Sequence, residues 1–200
     1  MSGIKTILDA VMPQENAASH REARTRARAA AHAGGWLSLI LDHHQHIESA
    51  FAITTSATTV AEQRQAQKRL ALLLTAHANA EESAIYPAMS RSARPHDATT
   101  AYAEQATLKL EMAALELLEP LSEAYLQRLD IIRDSVAHHV YEEESQWFLA
   151  LKENLTPDDE QRIGLRYAEE FSRYLGRDAA LATAPASRHA GSATSLGQPL

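Results

Sequence analysis

The chain has 200 residues, 45% of them apolar, with a formal net charge of −7. That length can bury one core of ordinary size, and the acidity argues against general nucleic-acid binding. It contains no cysteine, which excludes disulfides, thiolate ligands, a thiol nucleophile and thiolate-bound iron–sulfur clusters, so any metal site must use nitrogen and oxygen donors.

The N-terminal region, residues 1–35, reads as an extension. Ile4, Ile7, Leu8 and Val11 mark a short amphipathic turn ended by Pro13. HREARTRARAAAH (20–32) then gathers Arg21, Arg24, Arg26 and Arg28, a solvated helix face or mobile arm that could also meet an acidic protein partner. Nothing in MSGIKTILDAVMPQEN resembles a signal peptide, and no apolar run reaches the roughly 18 residues needed to span a bilayer. A cytoplasmic location without membrane contact is expected.

Four long helices follow. The first, from Trp36 to about Ile53, carries Leu37, Ile40, Leu41, His44, Ile47 and Phe51 on one stripe, with His44 at its middle. Thr59 and Glu62 form a capping-box pattern for a second helix running to about Tyr86, where Pro87 ends or kinks it. Asp97 is a candidate cap for a third, spanning roughly 98–118 through Tyr102, Leu108, Met112, Leu115 and Leu118. Pro120 separates it from the fourth, which reaches about Leu151 with Leu129, Ile132, Val136, His139, Trp147 and Ala150 along one side. A shorter helix starts with Thr156 as cap and Pro157 at its first position, and could cover the bundle or pair with a second subunit. Residues 179–200 have almost no charge, large apolar residues or periodicity, and 177–200 read as a disordered tail. Short connections between long helices imply antiparallel neighbours, so the expected fold is all-α: an up-down-up-down antiparallel four-helix bundle over 36–176 with its extra helix.

HANAEESAIY, beginning at His77, and HVYEEESQWF, beginning at His139, share the pattern H-x-x-x-E-E-x-x-x-aromatic, which suggests a repeated hairpin. At about the same interval His44 corresponds to Gln105, which is followed by Leu108 and Met112 as His44 is by Ile47 and Phe51, and which should therefore face inward. A histidine and a glutamate four residues apart share a helix face. His44, His77, Glu81, His139 and Glu143 thus become candidate ligands on one interior surface, and five such groups are costly to bury without a metal or mutual pairing. Imidazole with carboxylate suits iron, zinc, manganese or copper. His43, His46, His138 and Glu142 fall beside these positions and read as supporting or surface groups.

These residues resemble the hemerythrin-like, or HHE cation-binding, family over about residues 36–151. The resemblance implies a non-haem di-iron centre, with histidines from all four helices and carboxylates that bridge the two metals. Its ligands here would be His44, His77, Glu81, His139 and Glu143. The chain departs from the family at Gln105, where histidine is expected. That change admits an altered di-iron site, a single iron or another divalent metal, with Glu104 able to substitute if the helix rotates and Tyr102 able to approach. The expected function is binding or sensing of oxygen, nitric oxide or peroxide rather than classical enzymology. The alternatives are an iron-dependent peroxide-reactive or iron–sulfur-cluster repair protein of the stress response, and an interaction module merely stabilised by metal. The oligomeric state stays open.

Overall fold

The structure, a computed structural model, describes residues 16–92 and 95–175. The amphipathic turn expected before Pro13 and the expected disordered tail lie outside these residues.

The first helix, α1 (Ala17–Ala30), starts at Asn16, whose Oδ1 accepts from the amides of Ala18 and Ser19 at 2.9 and 3.0 Å. It differs from the mobile-arm expectation for residues 20–32: Ala23 and Ala27 are fully buried, and the small side chains let the helix lie close against the bundle. Gly34 turns the chain with φ 75°, a left-handed conformation that glycine adopts without penalty.

Four helical rods form the bundle. The first is α2 (Trp36–Ser56). The second is α3 (Val60–Ala80), which continues through a π turn, Glu81–Ile85, into α4 (Tyr86–Arg91). The third is α5 (Pro95–Glu116). The fourth is α6 (Glu123–Glu142), which continues through a second π turn, Glu143–Trp147, into α7 (Phe148–Glu153). The capping box of Thr59 and Glu62 is present, and Ser122 caps α6 by accepting from the Tyr125 amide. Asp97 is not a cap: α5 begins at Pro95, whose fixed φ and missing N–H suit a first helical position, and Asp97 lies within the first turn. Pro87 sits in the first turn of α4, just beyond the π turn.

The last helix, α8 (Pro157–Leu175), lies along α3 and α2 and buries Ile163, Tyr167, Phe171 and Leu175, one residue per turn. It covers the bundle within the same chain. Leu37, Ile40, Leu70, Leu73, Leu129, Ile132 and Leu151 fill the core, so the four rods present fixed faces to the space between them. Among the described residues no helix is long and apolar enough to cross a membrane.

Candidate metal centre

The two π turns explain how this interior becomes polar. An α-helix turns about 100° per residue, so residues five apart point roughly 140° away from each other. Widening the helix by one residue brings them back toward one face. Each π turn starts at the glutamate of the repeated motif, Glu81 or Glu143, and the next helix begins with its aromatic residue, Tyr86 or Phe148. Tyr86 thereby points the same way as Glu81, and its hydroxyl donates to Glu81 Oε2 at 3.1 Å.

His44 from α2, His77 from α3, and Glu81 and Glu143 from the two π turns meet at the centre, each no more than 3% exposed. One donor atom from each of the four lies within 4.8 Å of all the others. Glu143 Oε2 is 3.3 Å from His44 Nε2, and Glu81 Oε1 is 3.2 Å from His77 Nε2. None of these four atoms has an aligned hydrogen-bond partner. Their donor atoms converge on one small region between the helices. Metal bonds of about 2.0–2.2 Å place donors up to roughly 4 Å apart, so small inward movements would let these four grip an ion. Two imidazole nitrogens and two carboxylate oxygens suit a borderline divalent metal such as iron, manganese or zinc.

On the other side of the carboxylates the polar atoms are already paired. Tyr86 Oη lies 3.1 Å from each of Glu81 Oε2, Glu143 Oε1 and His139 Nε2. The Gln105 amide donates to Glu81 Oε2 at 3.1 Å and to the Tyr86 oxygen at 3.2 Å, and lies 3.2 Å from His139 Nε2. Glu143 Oε1 is also 3.2 Å from His139 Nε2.

Each inward histidine is held from behind at Nδ1, which leaves Nε2 facing the centre. His44 Nδ1 pairs with Glu144 Oε1 at 2.8 Å. Arg24 of α1 grips the same carboxylate through Nε, at 3.0 and 3.1 Å, while its Nη1 reaches Glu48 at 2.9 Å. His139 Nδ1 pairs with Glu104 Oε2 at 2.7 Å. His77 Nδ1 lies 3.0 Å from the Tyr167 hydroxyl of α8, which is also 2.8 Å from His43 Nδ1. With Nε2 free to face the centre, His77 Nδ1–H donates to the Tyr167 oxygen, and Tyr167 donates in turn to a neutral His43. Burial, with the neighbouring His44 and His46, pushes His43 down to about 3, which keeps it neutral.

The charges divide unevenly. Burial works against a charged His44, yet Glu143 and Glu144 beside it raise it to about 9. Burial likewise opposes a charged His139, and Glu143 and Glu104 hold it well above the usual range. Burial and the nearby His44 hold His77 well below. Burial and the charge of Glu143 push Glu81 well above the carboxylate range; burial would raise Glu143 too, but His139 and His44 pull it down. Without an ion, Glu143 is therefore the anion of the centre, flanked by two imidazolium groups, and Glu81 keeps its proton.

The structure thus brings together His44, His77, Glu81 and Glu143 directly, with His139 and Gln105 adjoining through Glu143 and Tyr86. Glu104 does not join them; it stands behind His139, at the nitrogen turned away from the centre. Tyr102 does not reach the centre either: its hydroxyl donates to the Glu82 carbonyl at 2.9 Å, and its ring packs on Tyr86. His43 supports Tyr167, whereas His46, His138 and Glu142 are partly exposed. Sequence reasoning missed the inward hydroxyl of Tyr86 and the parts played by Arg24, Glu144 and Tyr167. Glu144, the second glutamate of the motif, was the one local signal for the Arg24 contact.

The chain is 32% identical over 98 residues to a DNA nickase from Nostoc sp. (strain PCC 7120), an overlap covering 49% of this chain and 27% of that protein. The chain thus spans about a quarter of that relative's length. No solved structure matches it. The Hemerythrin HHE cation binding domain matches residues 37–151, which takes in all four rods and every inward-facing donor, and the chain belongs to that family.

Proposed function

We propose that the protein is a cytoplasmic non-haem iron protein that binds or senses a small oxidant: oxygen, nitric oxide or peroxide. One observation carries the reading. Four buried donor atoms, on His44, His77, Glu81 and Glu143, converge without hydrogen-bond partners, an arrangement that costs free energy in a protein with nothing to bind. Iron bound there would supply redox chemistry toward a small ligand. The chain's own part is to fix the donors through Glu144, Glu104 and Tyr167, to keep the centre dry, and to present the Tyr86 hydroxyl as a hydrogen-bond donor. The nickase name is not carried over, because the likeness reaches 27% of that protein and this chain is acidic.

A second reading, reaction with peroxide or repair of iron–sulfur clusters under stress, draws support from Tyr86, a buried hydroxyl placed to donate to a molecule at the centre. Visible spectra of the iron-loaded protein separate the readings, recorded after anaerobic reduction and then with oxygen, nitric oxide or peroxide. A reversible spectral change supports binding or sensing. Repeated consumption of peroxide supports the second reading. If iron changes only the melting temperature and none of the three oxidants alters the spectrum, the oxidant proposal fails and iron is structural.

A further inference from the structure

Glu81 and Glu143 each turn one oxygen to either side of the centre, yet the two sides are not equivalent. We infer that the centre holds one ion tightly, at the position ringed by His44, His77, Glu81 and Glu143, and that Tyr86 and Gln105 guard the second position so that it fills far more weakly. This inference rests on the metal-binding reading above and adds to it a stoichiometry and an order of filling.

Each carboxylate has one oxygen on each side. On the tight side, Glu81 Oε1, Glu143 Oε2, His44 Nε2 and His77 Nε2 are all buried without partners. An ion entering there displaces protons rather than any aligned protein hydrogen bond, and satisfies four groups. On the guarded side, Glu81 Oε2, Glu143 Oε1 and His139 Nε2 all lie within 3.1 Å of the Tyr86 oxygen. Gln105 Nε2 lies within 3.2 Å of Glu81 Oε2, the Tyr86 oxygen and His139 Nε2. An ion entering there must displace this network. It finds one imidazole where the tight side offers two, and in place of the other a neutral amide, a weaker donor.

The asymmetry is built by the fold rather than by one loose side chain. Gln105 is 4% exposed and Tyr86 fully buried, with its ring set edge-on against Tyr102 at 5.1 Å between centroids. The π turn brings the hydroxyl to the carboxylates, and its burial keeps it from bulk solvent.

The test titrates cobalt(II) into the full-length metal-free protein and follows visible absorption and heat together. The expected result is one equivalent bound tightly, with any second equivalent at least about tenfold weaker. Two equivalents of equal affinity would overturn the inference while leaving the metal reading standing; no binding of cobalt, iron or manganese would overturn both. Variants then locate the tight position. His44→Ala should abolish the tight phase, and His139→Ala should leave it in place; the reverse pattern overturns the assignment. Gln105→His and Tyr86→Phe should each strengthen the second phase about tenfold or more with the melting temperature of the metal-free protein monitored alongside. A weaker second phase in Tyr86→Phe would show that the hydroxyl serves the second ion instead of excluding it, and would overturn the guarding role.

Discussion

In the first hairpin, α2 presents His44, and α3 presents His77, Glu81 and, beyond the π turn, Tyr86. In the second, α5 presents Gln105, and α6 presents His139, Glu143 and, beyond its π turn, Phe148. The hairpins are similar in helix length, share a hydroxyl cap on their second helix and the position of the π turn, and differ at two inward positions. Those two differences fall on the same side of the centre. Tyr86, from the first hairpin, reaches His139 and Gln105 of the second. Phe148, from the second, stacks at 6.3 Å beside His44 of the first and offers it no hydrogen bond. A nearly symmetric scaffold thus yields one side with four donor atoms that lack aligned hydrogen-bond partners and another where a phenol and an amide pair the carboxylate oxygens. On the inference drawn above, backbone repetition alone does not specify a two-ion centre, and the residues at 105 and 86 set how strongly a second ion is held.

The largest test of this comparison removes the group that both hairpins share. Glu143 faces His44 through one oxygen and His139 through the other. Glu143→Ala leaves both imidazoles buried without their common anion, and breaking a buried pair of this kind costs about 3–5 kcal/mol. Urea unfolding of the metal-free protein should show that loss, and a change below about 1 kcal/mol would contradict the charge distribution described above.

Arg24→Ala tests the support behind one histidine alone. It removes charge-assisted hydrogen bonds to Glu144, the carboxylate that orients His44, in a setting where Arg24 is only 19% exposed. About 1.5–3 kcal/mol of stability should be lost, together with metal retention at the tight position. Metal retention equal to the parent would show that α1 merely packs against the bundle.

A smaller effect follows from pH. The folded protein holds His44 at about 9, above its ordinary 6.5, so the stabilisation from its imidazolium is full below about 6.5 and is lost as pH rises through about 9. His139 is raised as well, so both hairpins push in the same direction. The metal-free protein should melt at progressively lower temperature across that window, and Glu143→Ala should flatten the dependence. A melting temperature that rises with pH there would reverse the sign of the assignment.

The smallest effects lie at the matched ends of the hairpins, far from the centre. Thr59→Ala and Ser122→Ala each remove one cap hydrogen bond and should each cost about 1 kcal/mol in thermal unfolding. Their effects on cobalt affinity should be nil, since neither residue touches the network around the carboxylates. A change in metal affinity from either would mean that the hairpins transmit strain along their length.

How far the sequence could be read depended on the range of each contact. His77 with Glu81 and His139 with Glu143 are spaced by one helical turn, and the apolar stripes of α2 and α6 orient His44 and His139, so periodicity suffices for all five. The inward placement of Gln105 followed from the repeat. Tyr86 is five residues from Glu81, a spacing that an α-helical period directs elsewhere; only the π turn brings the hydroxyl to the carboxylates. Arg24 meets Glu144 across 120 positions of sequence and Tyr167 meets His77 across 90, with no local pattern to announce either. Both partners come from helices outside the family's matched segment, which is why family resemblance did not supply them. Glu104 shows the opposite failure: its neighbour relation to Gln105 suggested a ligand, whereas the helix rotation sends it behind His139.

The most direct measurement is iron per chain by elemental analysis, on protein loaded with iron and then exhaustively dialysed against metal-free buffer. The account predicts one retained iron per chain in the parent, and none in His77→Ala. No retained iron in the parent, or the same content in both proteins, would contradict the claim that His44, His77, Glu81 and Glu143 converge to hold a metal.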